Sequence, residues 1–196
     1  MEKWKNRVAE YPVDAEFISR VSTRAFDAHK PVSKETLMSC FEAARWAPSS
    51  YNNQPWRYVW AEKGSKTYKL MTDTMVEFNR MWCKDVSILL VICTRKAFMD
   101  KDTPTTTGSL DTGSSYMSFV LQAHKLGLAT HAMAGFDNDK LREAMNIPDI
   151  YNIEALLAVG YPGKTDHLPK EMLEREKPTD RRSLDQIVNE NTFIYN

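Results

Sequence analysis

Ala43-Ala44-Arg45-Trp46-Ala47-Pro48-Ser49-Ser50-Tyr51-Asn52-Asn53-Gln54-Pro55-Trp56-Arg57 starts as helix, stops at a proline and re-emerges at a second proline and a tryptophan. Between the prolines lie small hydroxyl and amide side chains. A plain connection is shorter and less rich in groups that both donate and accept hydrogen bonds. The stretch therefore reads as a loop built to hold a polar, planar ligand.

Working back from Pro48, Ser33 reads as the N-cap of a helix from Lys34 to about Ala47, with Glu35 in its first turn. Leu37, Phe41, Ala44 and Ala47 recur at helical spacing and face the core. Working forward, Arg57 to Glu62 carries Tyr58-Val59-Trp60 and reads as a strand. A second helix is predicted from Lys66 to Met81. Val86 to Cys93 is almost continuously apolar, the pattern of a central strand covered on both faces.

Phe98 to Gly108 is polar and reads as a surface loop. A helix follows from Asp111 to Leu126, closed by Gly127. Asp137 caps a helix through Met145, ahead of Pro148. Ile153 to Val159 is a second buried strand. The last thirty or so residues are charged and expected to be extended, with one weak helical stretch near Asp185 to Asn189. Strands and helices do not alternate strictly, which favours an α+β sheet layered by helices over a doubly wound fold. The chain is expected to form one domain over 1–196, with an N-terminal extension at 1–14 and a C-terminal arm at 164–196.

The 196 residues suffice for a sizeable core without disulfides. Lys+Arg and Asp+Glu each number 26, so no basic excess points to nucleic acid. Of the three cysteines, Cys40 and Cys93 lie in apolar segments and read as buried thiols; with Cys83 they form no metal-ligand spacing. The longest strongly apolar run, Ile88 to Cys93, is far too short to span a bilayer. Met1 to Arg7 has no apolar run behind it, so no signal peptide is read there. A soluble, cytoplasmic protein is expected.

Arg20-Val21-Ser22-Thr23-Arg24 is the next candidate. In an extended segment Arg20, Ser22 and Arg24 share a side, and two guanidinium forks with a hydroxyl suit a phosphate or a polar heterocycle; the alternative is a solvated surface segment. Arg181-Arg182 is open to the same two readings. His131-Ala132-Met133-Ala134-Gly135-Phe136 starts as a short buried strand, and Gly135 lets a ligand approach the backbone. His131 is either a satisfied core side chain or a group facing that site. No Gly-x-Gly-x-x-Gly follows a strand, and no Gly-x-Ser-x-Gly occurs. Any hard chemistry therefore falls to a cofactor.

Taken together these segments resemble the FMN-dependent nitroreductase family. The resemblance rests on Arg20 to Phe26, on Ala47 to Trp56, and on Asn79 ahead of the central strand. It continues through the helix from Asp111-Thr112-Gly113 to Gly127-Leu128, Ala134-Gly135-Phe136-Asp137, Val159-Gly160-Tyr161-Pro162 and Arg181-Arg182. It runs from about residue 16 to 190. It implies a nitroreductase-like fold with a central, mostly antiparallel sheet and a homodimer that binds FMN between subunits, its C-terminal arm crossing to the partner.

By this resemblance Arg20, Val21, Ser22 and Arg24 hold the flavin and its phosphate, and Arg24 stabilises the reduced ring. Pro48, Ser49, Ser50 and Asn52 come from the partner subunit. Asn79 hydrogen-bonds the flavin. Met133, Ala134 and Gly135 line it, with the Gly135 backbone as a donor near N5. Arg181 and Arg182 match the phosphate-binding end. No side chain is implied as acid or base, because flavin N5 carries the hydride. The implied reaction is ping-pong: NAD(P)H reduces the flavin, then an electron-poor small molecule such as a nitroaromatic or quinone accepts the electrons. A dedicated reductase or dehydrogenase of one metabolite, or a flavin-binding redox sensor, is the alternative. Many relatives carry an acidic residue directly before the glycine, where this chain has Ala134.

Overall fold

The computed structural model describes residues 7–100 and 103–193. Residues 1–6 of the expected N-terminal extension, 101–102 of the expected loop and 194–196 of the expected arm lie outside the described residues. The helices are α1 (Ala15–Ser19), α2 (Lys34–Arg45), α3 (Lys66–Thr74), α4 (Glu77–Cys83), α5 (Gly108–Lys125), α6 (Asn138–Met145) and α7 (Lys170–Arg175). The strands are β1 (Trp56–Glu62), β2 (Ile88–Arg95), β3 (Ala129–Met133) and β4 (Tyr151–Gly160). Among the described residues the strands form one antiparallel sheet, ordered β1-β2-β4-β3.

β2 explains the layering. Leu89, Val91 and Cys93 join one core cluster, with Tyr68 and Met71 of α3, Trp82 and Cys83 of α4, Leu141 of α6 and Met172 of α7. Ile88, Leu90 and Ile92 join the other, with Leu37, Cys40 and Ala44 of α2 and Phe119 and Ala123 of α5. Successive residues of a strand point to opposite faces, so a strand covered on both sides must be apolar throughout. The fold is the α+β sandwich expected, with helices on both faces of an antiparallel sheet.

Local capping follows the sequence. The Ser33 hydroxyl accepts from Thr36 N at 3.1 Å and the Asp137 carboxylate from Lys140 N at 3.1 Å. Gly127 takes φ +77° just past α5, the left-handed conformation a helix C-terminus favours. Burial pushes the Cys40 and Cys93 thiols up to about 11, so both behave as core side chains.

Two differences from the sequence reading matter. The helix expected from Lys66 to Met81 is broken into α3 and α4. Val76 N donates to Gly135 O at 3.0 Å, Asp137 N donates to Thr74 O at 2.8 Å, and a single antiparallel bridge joins Met75 to Phe136. The backbone at 74–76 thus pairs with the segment after β3 instead of continuing its own helix. The second difference lies in the arm. Residues 170–175 form α7, anchored by fully buried Met172, where extended chain was expected. Further on, the helical stretch near Asp185 is a single 3-10 turn at Leu184–Gln186.

Candidate functional site

Residues 20–24 follow α1 directly and belong to no helix or strand. His131 Nδ1 lies 3.0 Å from Thr23 O; a carbonyl only accepts, so that nitrogen carries the proton. Burial, partly offset by hydrogen bonding to the Thr23 and Ser22 backbone, holds the His131 imidazole below its ordinary pKa, which favours the neutral ring. The ring centroid sits 4.8 Å from that of Trp82, which in turn stacks on Phe26 at 5.9 Å. His131 is therefore both core and support: it props the Arg20–Arg24 segment from beneath.

Arg20 and Ser22 do share a side, with Nη1 3.4 Å from Oγ. Arg24 turns elsewhere, toward Glu176 and the Phe78 ring. Val21 lies beside Arg20 at the rim of a cavity of about 720 Å³, also bounded by Ser19, His124, Thr130 and Lys164. Arg20 Nε and Arg24 Nε are both buried without a hydrogen-bond partner. Among the described residues no carboxylate pairs with Arg20.

Arg7, which the sequence did not single out, ties this segment to the C-terminal arm. Its guanidinium donates to Ile18 O at 2.9 Å, Arg20 O at 2.8 Å and Thr179 O at 3.0 Å. Its pKa is lowered by burial first and then by the like charges of Arg181 and Arg20, with Asp180 opposing. Arg7, Arg20 and Arg181 thus form a cluster of cations, with the Asp180 carboxylate beside them. Arg181 and Arg182 are both exposed and line an adjacent cavity of about 690 Å³ with Tyr11, Phe17 and Ile187. Of the two, Arg181 is the one whose charge bears on Arg7.

Asn79 stands in the first turn of α4, and the broken helix explains why. The break turns Asn79 Nδ2 onto Gly135 O at 3.1 Å. A Cβ at position 135 would lie 2.7 Å from that nitrogen and 2.9 Å from Val76 Cγ2, so any larger residue would have to displace both side chains. Met133 is buried at the end of β3, and Ala134 is exposed beside it.

The Pro48 loop is built under conformational strain. Tyr51, Asn52 and Gln54 all have positive φ, at 51°, 55° and 47°; such backbone is uncommon for side chains other than glycine and concentrates at functional sites. Hydrogen bonds hold it. Ser49 Oγ accepts from Gln54 N at 3.0 Å, Gln54 Nε2 donates to Asn52 Oδ1 at 3.0 Å, and Ser50 N donates to Asp111 Oδ2 at 3.2 Å. Asn53 Oδ1 accepts from Met99 N at 2.9 Å. Pro48 and Asn52 remain exposed.

The structure does not bring the two halves of the expected site together within one chain. The Pro48 loop feeds β1 at one edge of the sheet. Arg20–Arg24 lies against His131 of β3, at the other edge. Three inter-strand steps separate those edges, roughly 14 Å at the usual spacing. The ends differ too. The loop meets the start of β1, while Phe26 bridges Pro162 beyond the end of β4, where β4 pairs with the start of β3.

The sequence matches the model of the nitroreductase family over residues 18–81 and 72–161. The chain belongs to the nitroreductase family. A crystal structure described as an oxidoreductase containing FMN superposes with a TM-score of 0.92 at 39% identity, covering 97% of this chain and 98% of that one. A nitroreductase family protein from Clostridium difficile 630 superposes at 0.68 with 25% identity, over 89% and 95% of the two chains. An oxygen-insensitive NADPH nitroreductase of Helicobacter pylori (strain J99) is 38% identical over 77 residues, 39% of this chain and 36% of its own length. The first curated nitroreductase relatives are matched over only 34–39% of their own length. The nitroreductase-family fold read from the motifs is thus the fold observed.

Several site residues carried no motif signal. Arg7, Glu176 and Phe78 act through contacts with residues distant in sequence, 11 to 172 positions away for Arg7 and 152 for Glu176, which no local pattern records. Asp111 was legible as the start of a helix and part of the resemblance, but not as an anchor of the Pro48 loop. Its carboxylate also takes the Thr107 hydroxyl at 3.2 Å, and so pins the Pro48 loop to α5.

Proposed function

We propose that this protein is an FMN-dependent oxidoreductase that draws electrons from NAD(P)H and passes them, in a ping-pong cycle, to a small electron-poor acceptor. The observation that carries the reading is the Arg7–Arg20–Arg181 cluster. Three like charges gathered around the single carboxylate of Asp180 leave a net positive site that suits an anion, and the phosphate of FMN supplies one. The unpaired Arg20 and Arg24 Nε atoms and the close approach allowed at Gly135, where a Cβ would crowd Asn79 and Val76, fit the same group.

When bound, FMN supplies the hydride-accepting and hydride-donating centre. Arg20, with Arg181 and Ser22, holds the phosphate, and Arg7 fixes the backbone from which Arg20 projects. Asn79 presents an amide to the flavin edge, and the Gly135 backbone lies beside it because no Cβ intervenes. Arg24 places a positive charge where the reduced ring gains a negative one. Pro48, Ser49, Ser50 and Asn52 reach the same ring from a second copy of the chain, since within one copy they stand at the far edge of the sheet. Exposed Trp46 (74%), Tyr51 (93%) and Leu110 (72%) flank that loop. Apolar surface of that extent is what a homodimer covers. The C-terminal arm, lined by exposed Ile187 and Val188, crosses onto the partner in the same assembly.

The test is an anaerobic titration of FMN-loaded protein. NADH or NADPH is expected to bleach the flavin, and a nitroaromatic or quinone to restore it. Bleaching by dithionite but by neither nucleotide would replace the enzyme with a flavin-binding sensor. Protein that cannot be loaded with FMN would overturn the reading. Light scattering is expected to report a dimer, and a monomer that holds FMN tightly would contradict the two-copy site.

A further inference from the structure

Glu176 follows α7 directly, and its side chain is only 5% exposed. Its Oε1 accepts from Arg24 N at 2.8 Å and lies 3.4 Å from Arg24 Nη1. Its Oε2 accepts from the Thr23 hydroxyl at 2.5 Å. The neighbouring Arg175 carbonyl takes Arg24 Nη1 at 3.3 Å. The Arg175 guanidinium lies 4.8 Å from the Phe78 ring centroid, and that of Arg24 5.7 Å from the same centroid. The end of α7 therefore joins two segments distant in sequence: the Arg20–Arg24 turn and the Phe78-Asn79 pair.

Local preference does not account for a glutamate here. A carboxylate at the C-terminal end of a helix gains nothing from the helix dipole, and burying it is costly unless it is paired and hydrogen-bonded. The contacts to Thr23 and Arg24 offset that cost. They also place a fixed negative charge against the arginine assigned to the reduced flavin.

We infer that Glu176 is a positioning residue that holds Arg24 and lowers the reduction potential of the flavin bound beside it; this rests on the FMN reading above. Taking up two electrons and one proton leaves FMN with one more negative charge than its oxidised form. A buried carboxylate close by disfavours that form, both by direct repulsion and by occupying part of Arg24's charge. Glu176 thus tunes the chain toward a stronger reductant, suited to acceptors of lower potential.

The experiment is reductive titration of FMN-loaded protein with dithionite and an indicator dye, on wild type, Glu176→Gln and Glu176→Asp. Glutamine keeps the shape and an oxygen for Arg24 N while removing the charge. It is expected to favour the reduced form about tenfold, a rise of about 30 mV for a two-electron couple. Aspartate draws the carboxylate back from Arg24 and is expected to give a smaller rise in the same direction. Glu174→Gln, at an exposed residue of the same helix paired with Lys177, is expected to leave the potential unchanged. A merely structural role would alter melting temperature without moving the potential of the loaded fraction. Flavin that loads normally and keeps the wild-type potential in both Glu176 variants overturns the inference. If Glu176→Gln does not fold, the aspartate variant alone decides. Wild type that takes up no FMN would instead count against the proposed function.

Discussion

Asn79 Nδ2 and Gly135 occupy the same few ångströms: the amide donates to the Gly135 carbonyl at 3.1 Å, and a Cβ on residue 135 would stand 2.7 Å from the same nitrogen. The two positions are fitted to each other, although one lies in α4 and the other follows β3. Gly135→Ala is expected to displace Asn79 and Val76 at a cost of about 1–3 kcal/mol and to weaken FMN binding. Melting temperature and a fluorimetric FMN titration measure the two effects. A methyl group there that left FMN affinity at the wild-type value would remove Asn79 from the flavin site.

Arg20 carries the phosphate in this reading. Arg20→Ala is expected to lose more than about tenfold in FMN affinity, ~1.4 kcal/mol. It is also expected to relieve the like-charge repulsion on Arg7, so the apo protein should melt no lower than wild type. Unchanged affinity in the same titration would place the phosphate elsewhere.

Asp111 anchors the strained loop from α5. Asp111→Ala leaves Ser50 N and the Thr107 hydroxyl without their acceptor, at a cost of ~1.5–3 kcal/mol for hydrogen bonds to a charged group. The three positive-φ residues then relax, and the loop no longer presents Ser49, Ser50 and Asn52 to a second copy. Weaker FMN binding with retained secondary structure is expected, checked by circular dichroism beside the titration. Wild-type affinity would show that the loop holds its shape without α5.

His131 gives the stability a definite pH dependence. Burial holds its folded pKa below the ordinary value of about 6.5. As pH falls through about 6.5 the unfolded chain takes up a proton that the folded chain resists. Stability is therefore complete above that value and declines toward the lower folded pKa. His124, whose ring meets Ser19 Oγ at 2.8 Å, is depressed by burial in the same direction. His131→Asn keeps a donor for Thr23 O and removes one of the two titrations. Melting temperature is expected to fall from pH 7 to pH 5.5 in wild type and to fall less in the variant; equal slopes would assign the acid sensitivity to other groups.

The sequence and the structure agree where the governing interactions are local. The Ser33 and Asp137 caps and Gly127 after α5 were each readable because the residue that causes the feature lies within a turn of it; α2 ends at Arg45, two residues short of the expected Ala47, and β2 was readable because its own run is apolar on both faces. The loop's unusual chemistry was readable for the same reason, though its three positive-φ residues were not. Asn and Tyr adopt that backbone here because Asp111 and the internal Ser49–Gln54 bond hold it.

What the residues by themselves determined was the order of elements, the polarity of the candidate site and the motifs of a flavin fold. Only the tertiary structure decided how they meet. It broke the expected Lys66–Met81 helix because Val76 N and Thr74 O found partners beside Gly135, and so aimed Asn79. It folded part of the arm into α7 because Met172 has a core to enter, and so delivered Glu176 to Arg24. It also set the Pro48 loop and Arg20 at opposite edges of one sheet. Helix caps and strand periodicity are written in neighbouring residues; a pairing across 152 positions, as between Arg24 and Glu176, exists only once the chain has packed.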